Sequence, residues 1–222
     1  MNQTGVSPTD IYEYHKSGDG YRWEPIFSFD NVYFDALAAI SDHEAWFVGS
    51  RGPHALAIHL TVGYLNNDPH SYVITRDTRE YDIDALGLSD ISMRSPTDGW
   101  AAGGDDVNGG VLFHWDGSKW TPRPVAQAEI DGAVMTGENT GWVYNRFYNQ
   151  GVGYLYSTAG SQWFRYPLAS DEMVVAGAAI TPTTFLAIVD SFKDSHNPVP
   201  VPRIYTMGQG TPLPTPPPYV AP

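Results

Sequence analysis

The chain of 222 residues has no cysteine, which excludes disulfide bonds, cysteine-ligated zinc and thiol-based catalysis. Basic residues are scarce, because 12 lysines and arginines stand against 25 aspartates and glutamates, for a net charge of −13. Nucleic acid and anionic membranes are therefore not expected as partners. No run of about 18 apolar residues occurs, so the sequence predicts no membrane insertion. The first ten residues lack the basic and apolar regions of a signal peptide, so none is predicted in this chain.

The sequence also lacks the periodicity of helices. Glycine and proline number 22 and 18 and are scattered along the chain, and no window keeps a 3.6-residue apolar period long enough for a helix. Hydrophobic residues still make up 42% of the chain, which is enough for a packed core. Short apolar stretches between regular turn signals predict an all-β protein, built as a sandwich, barrel or propeller.

One sequence motif recurs along the chain and consists of turn residues, then an aromatic residue, then a short apolar strand. It occurs four times at intervals of roughly 40 to 55 residues, which is the length of a four-stranded propeller blade. A residue repeated in register with the fold unit indicates architecture, so we interpret these aromatic residues as packing between blades. They are Trp46, Trp100, Trp142 and Phe185.

A second recurring motif consists of an aromatic-rich strand, a Gly/Ser/Asp turn, a tryptophan, a basic residue and a proline. It occupies 12–26, 112–124 and 154–167. With the first motif it gives four short strands in each unit. The sequence thus predicts a β-propeller of four-stranded antiparallel blades, with four blades favoured and five blades or a partial ring left open.

The predicted organisation has three parts. An N-terminal extension covers 1–10, the propeller covers 11–209, and a proline-rich tail covers 210–222. The prolines of the tail favour the extended polyproline II conformation, and we interpret the tail as a linker. The alternatives are a tether and a ligand for a domain that binds proline-rich segments. The propeller units lie near 34–84, 85–128, 129–172 and 173–209, and 11–30 supplies outer strands that close the ring.

Part of the unit near 85–128 resembles known propeller repeats. The glycine pair at 103–104, followed by "HWDGSKWTP", resembles a kelch repeat, and 90–122 is similar to the repeats of photosystem II assembly-factor propellers and sialidases. Asp19 and Asp116 precede a tryptophan in turns that resemble the Asp boxes of sialidases. The resemblance implies a bacterial β-propeller, and it implies structural turns rather than catalytic residues.

Few residues are candidates for metal binding or catalysis. The loop "GGDDVNGG" offers Asp105, Asp106 and Asn108 as a candidate calcium site, with a solvated turn as the alternative. His15, His59 and His114 fall at matching places in different units and are not expected to share one metal ion. No Gly-x-Ser-x-Gly elbow, phosphate loop or dinucleotide fingerprint occurs. The sequence predicts no enzyme, no catalytic residues and no cofactor.

Three long insertions, at 60–71, 145–156 and 190–205, combine aromatic and amide side chains that suit protein or sugar contacts. We expect a non-enzymatic protein-binding scaffold or assembly subunit, and the alternative is a glycan-binding or glycoside-hydrolysing propeller. An extracytoplasmic or cell-surface location is expected from the tail and the related repeats. The predicted partner-binding residues are Tyr64, Asn66, Phe147, Tyr148, Tyr154, Phe192 and His196.

Overall fold

The computed structural model confirms an all-β chain. Its described residues form eighteen β-strands and no helix, so no helix among them could cross a membrane. The high content of β-branched and aromatic residues, broken by glycine and proline, favours short strands over helices. The structure describes residues 8–17, 19–65, 73–105, 109–126, 130–145, 155–159, 162–169, 172–191 and 200–213.

The strands form one hairpin and four larger antiparallel sheets, which we number in chain order. The hairpin pairs β1 (Thr9–Ser17) with β2 (Gly20–Phe29). Sheet 1 contains β3 (Val32–Ser41), β4 (Glu44–Arg51), β5 (His54–Leu65) and β6 (Val73–Ile83). Sheet 2 contains β7 (Leu88–Ser95), β8 (Asp98–Asp105), β9 (Gly109–Trp115) and β10 (Trp120–Ala126).

Sheets 3 and 4 differ from this four-stranded pattern. Sheet 3 contains β11 (Gly132–Gly137), β12 (Thr140–Tyr144), β13 (Leu155–Ala159) and β14 (Gln162–Tyr166), and the short β18 (Thr211–Pro212) adds a fifth strand. Sheet 4 has three described strands, β15 (Glu172–Thr181), β16 (Thr184–Ser191) and β17 (Val201–Thr206).

Consecutive sheets pack face to face in chain order. The first strands contact one another in sequence, β3 with β7, β7 with β11 and β11 with β15. An apolar cluster fills each space between sheets, and Trp46, Trp100 and Trp142 lie in the first, second and third of these clusters. Each of the three is at most 1% exposed, which confirms that these tryptophans pack between sheets.

The strand register corrects one alignment made from the sequence. Trp46, Trp100 and Trp142 are each the third residue of the second strand in their sheet. In sheet 4 this place belongs to Leu186. Thr184 begins β16 and pairs just beyond the bulge in the first strand, as Glu44 and Asp98 do in sheets 1 and 2, so the third residue of β16 is Leu186. Phe185 therefore faces back toward sheet 3, where it stacks on Trp142 with the ring centroids 5.2 Å apart.

The glycine pair at 103–104 is explained by close backbone approach. A Cβ on Gly103 would overlap the carbonyl oxygen of Gly87, and Gly104 has a φ of +131° that favours glycine. Both glycines lie in β8, which runs between β7 and β9 in the middle of sheet 2. The pair is therefore required by packing within this sheet.

The two ends of the chain lie in different parts of the fold, and the closure of a ring by 11–30 stays a prediction. The described residues of β2 pair with β1 alone, and the hairpin packs on sheet 1 through Ile11 and Phe29. At the other end, Leu213 donates its backbone N–H to the Trp163 carbonyl at 2.9 Å. The first residues of the proline-rich tail are thus fixed on sheet 3, and 214–222 lie outside the described residues.

Candidate functional site

Most of the sequence-predicted binding residues lie outside the described residues. Tyr64 is the next-to-last residue of β5 and Asp105 ends β8, and only their backbone is described. The partner-binding and calcium-binding predictions for these positions are untested and stay predictions. Among the residues that are described, no group of three or more His, Asp or Glu could hold a metal ion. The remaining predicted positions, all undescribed, are Asn66, Asp106, Asn108, Phe147, Tyr148, Tyr154, Phe192 and His196.

Two of the histidines that fall at matching places in the repeat units pack between sheets and have a structural role. His59 lies directly across from Trp46 in the β4–β5 pair, with the rings stacked at 4.3 Å and an angle of 9°. Its Nε2 lies 2.8 Å from Oε1 of Glu44. The carboxylate and the indole hold the imidazole on the face of sheet 1 that packs against sheet 2.

Sheet 2 repeats this arrangement one unit later. His114 lies across from Trp100 with ring centroids 4.4 Å apart, and its Nε2 lies 2.9 Å from Oδ1 of Asp98. Arg94 donates to the other oxygen of Asp98 at 2.7 Å. The same arrangement of a tryptophan, a histidine and a carboxylate occurs at matching strand positions of sheets 1 and 2. Such repetition is typical of packing between repeated units and not of an active site.

Asp116, in the turn that resembles an Asp box, is also structural. Its Oδ1 accepts hydrogen bonds from the Ser118 hydroxyl at 2.6 Å and from the backbone N–H groups of Lys119 and Ser118 at 2.9 Å. These donors, led by the Ser118 hydroxyl, lower the pKa of Asp116 to about 2. The carboxylate closes the β9–β10 turn.

The hairpin exposes a ladder of aromatic rings on the side that faces away from sheet 1. Tyr14 pairs with Trp23 across the two strands, and its ring lies 5.1 Å from Trp23 and 5.5 Å from Tyr21. Trp23 and Tyr21 are each 65% exposed. We define the aromatic face as Tyr12, Tyr14, Tyr21 and Trp23.

A groove of about 480 Å³ lies beside the hairpin, where it covers only part of sheet 1. Apolar side chains of β3 and β4, among them Leu37 and Phe47, line the groove together with Ile26 of the hairpin. Leu37 is 63% exposed. The apolar surface at the N-terminal end of the stack therefore continues from the hairpin onto sheet 1.

The opposite end of the stack exposes a second apolar surface. Cross-strand pairs place Leu186 between Ala178 and Ile204, on the side of sheet 4 that faces away from sheet 3. Ile204 is 66% exposed and Ile180, at the β15 bulge, is 56% exposed. We define the aliphatic face as Ala176, Ala178, Ile180, Leu186, Ile188, Pro202 and Ile204.

A more polar groove of about 590 Å³ lies between β6 and β10. We call it the β6–β10 groove. Tyr81 and Trp120 line it together with charged groups of both signs, including Arg79 and Asp82. Burial raises the pKa of Tyr81, and the nearby Arg79 guanidinium opposes this shift. The groove combines aromatic surface with hydrogen-bonding groups, which is the chemistry used to bind polar small molecules.

The sequence contains a signal for the aromatic face that the repeat pattern does not use. In "YEYHKSGDGYRW" the aromatic residues alternate with polar ones on both sides of a turn. A period of two places Tyr12 and Tyr14 on one face of β1, and pairing places Tyr21 and Trp23 beside them. The aliphatic face has no comparable signal, because it depends on the absence of a covering sheet.

Comparison with known proteins identifies no relative for this arrangement. No family model matches the chain, and neither a curated protein nor a solved structure matches it. The resemblance to kelch and sialidase-type repeats therefore stays a prediction.

Proposed function

We propose that this protein is a non-enzymatic β-propeller that acts as a protein-binding scaffold or as a subunit of a larger assembly. The four sheets would be its blades, with the first strand of each sheet nearest the axis. The proline-rich tail favours an extracytoplasmic or cell-surface location for this scaffold.

Three features of the sheets support the propeller. The sheets follow one another in chain order through their first strands. These strands are rich in small residues where they approach each other, such as Ala36 and Ala38 in β3 and Ala133 in β11. Bulges recur at the same place near the turn between the first two strands of all four sheets. Such repetition is typical of blades that stack around an axis.

The observation that carries the binding function is the apolar surface at both ends of the stack. In arrays of stacked repeats, the terminal units normally have a polar outer face that keeps the protein soluble. Here the aromatic face lies at one end and the aliphatic face at the other. Contiguous exposed apolar surface usually marks a site of protein interaction.

The described ionisable groups support a structural role in place of catalysis. Glu44 and Asp98 hold histidines between sheets, and Arg203 forms an ion pair with Glu172 that joins β17 to β15. Arg76 similarly pairs with Glu13 and joins sheet 1 to the hairpin. These pairs stabilise the arrangement of strands and leave the apolar faces as the best candidate for function.

Native isolation followed by mass spectrometry tests this function. The tagged chain should retain a stoichiometric protein companion, and Ile204→Glu should lose it because a charge in the aliphatic face must be desolvated on binding. Tyr33→Glu is the matched control, because Tyr33 is 67% exposed and belongs to neither face. Equal retention by both variants, or no companion on the unmodified chain, would contradict the proposal.

Glycan binding is the second candidate, and the β6–β10 groove favours it. Tyr81 and Trp120 offer ring surface for a sugar, and Asp82 offers an acceptor for its hydroxyl groups. A glycan array should show signal that falls in Asp82→Ala and stays in Asp77→Ala, an exposed position on the same strand. A silent array would remove this candidate.

A further inference from the structure

We propose that the partner of the apolar faces is a second copy of this chain, bound head to tail. The aliphatic face of one copy would pack on the aromatic face of the next. This inference rests on the proposed protein-binding function and names the partner.

The aliphatic face continues a type of interface that the chain already uses three times. Sheets 1, 2 and 3 each turn the face that carries Trp46, Trp100 or Trp142 toward the next sheet. Leu186 holds the same register position in sheet 4, and Ile204 lies across from it where His59 and His114 lie across from their tryptophans. Sheet 4 therefore presents the surface that covers a following sheet.

The hairpin occupies the place of a sheet that precedes sheet 1. Its inner side packs Ile11 and Phe29 against Leu56 and Ile58 of sheet 1. Its outer side, the aromatic face, is the surface that a preceding sheet would cover. Within the described residues, each copy thus has one surface that lacks a following sheet and one surface that lacks a preceding sheet.

The two faces also differ in shape in a way that favours pairing with each other. The aliphatic face has alanines along β15 and branched residues on β16 and β17, which leaves room for large rings. The aromatic face supplies these rings, because Trp23 and Tyr21 are each 65% exposed. Pairing of unlike faces is a heterologous contact, which builds rings or open chains of copies.

Charge gives this association a characteristic salt dependence. Each copy carries a net charge of −13, so copies repel one another at low ionic strength. The residues that define the two faces are all uncharged, so salt screens the repulsion without weakening the contact. Association should therefore become stronger as salt is added.

Sedimentation velocity and native mass spectrometry test the proposal. The unmodified chain should form species larger than one chain of 24.4 kDa, in proportions that rise with concentration. Ile204→Glu and Trp23→Glu should each weaken association about tenfold or more. Tyr33→Glu, which changes an equally exposed aromatic residue outside both faces, should associate as the unmodified chain does.

Mixing the two variants provides the decisive result. Ile204→Glu keeps an intact aromatic face, and Trp23→Glu keeps an intact aliphatic face. An equimolar mixture should therefore form a one-to-one dimer of twice 24.4 kDa and nothing larger. A misfolded variant would not complement the other, so the dimer also shows that both variants are folded.

Three outcomes would overturn the second copy as partner. They are an unmodified chain that is monomeric at every concentration and salt, a mixture that stays monomeric, and dimers formed by one variant alone. The proposed function is tested separately by the native isolation. A monomeric chain that retains a different protein through Ile204 would keep the scaffold and reject self-association.

Discussion

At the scale of single residues, Asp116 gives the clearest dependence on pH. Three donors hold its carboxylate, and its pKa falls from 3.8 to about 2 in the folded chain. Since the folded pKa is the lower one, its contribution to stability is complete above about pH 4 and disappears as the pH falls toward 2.

Asp116→Asn should remove this contribution. Denaturant unfolding between pH 2 and pH 6 should show the variant less stable above about pH 4 and equal to the unmodified chain near pH 2. Ser118→Ala removes one donor and keeps two backbone N–H groups, so its profile should lie between the two. A stability difference that is constant across this range would show that the turn acts without its charge.

Single residues also show how far the sequence predicts the structure. Periodicity alone identifies Trp46, Trp100 and Trp142 as packing residues, because their spacing equals the length of the repeat. The same reasoning misplaces the fourth member by one residue. Strand pairing across the β15–β16 turn gives the tryptophan position to Leu186 and turns Phe185 to the opposite side of the sheet. Approximate spacing does not reveal this difference, because a shift of one residue reverses the face.

At the scale of the elements, the packing of one sheet on the next depends on its tryptophan. Trp100 is 1% exposed and lies in the cluster between sheets 2 and 3, with the Arg123 guanidinium 5.1 Å from its ring centroid. Its replacement by alanine leaves a large cavity between two sheets.

Trp100→Ala should lower the free energy of unfolding by about 3 to 5 kcal/mol. Trp23→Ala is the matched control, because Trp23 is 65% exposed on the hairpin, and it should lower this free energy by less than about 1 kcal/mol. Chemical denaturation of both variants measures the difference. Similar losses for the two would mean that the repeated tryptophans do not join the sheets.

The elements also show why the sequence analysis does not predict the aromatic face as a candidate site. Strands and their turns follow from local alternation and from residues such as Gly117, whose φ is +89°. The pairing of β1 with β2, and the position of the hairpin on sheet 1, depend on contacts such as Ile11 with Leu56 that are distant in sequence. Exposure of the aromatic face follows from this placement, which local patterns do not determine.

At the scale of the whole molecule, the four stacked sheets and one hairpin formed by the described part of the chain leave two surfaces without a neighbouring sheet. The aromatic face and the aliphatic face lie at opposite ends of the chain-order stack. A ring that closed within one chain would bury both. Incomplete stacking of the sheets is therefore the structural basis of the proposed binding.

Oxidative footprinting of the tryptophans, read by peptide mass spectrometry over a concentration series, tests this claim most directly. All seven tryptophans lie within the described residues, and Trp23 alone is highly exposed. In dilute protein Trp23 should be oxidised fastest while Trp46 and Trp100 are protected, and Trp23 should become protected as copies associate. If Trp23 is as protected as Trp100 at the lowest concentration, the ends of the stack are closed within one chain. That result would contradict a binding role for the two faces.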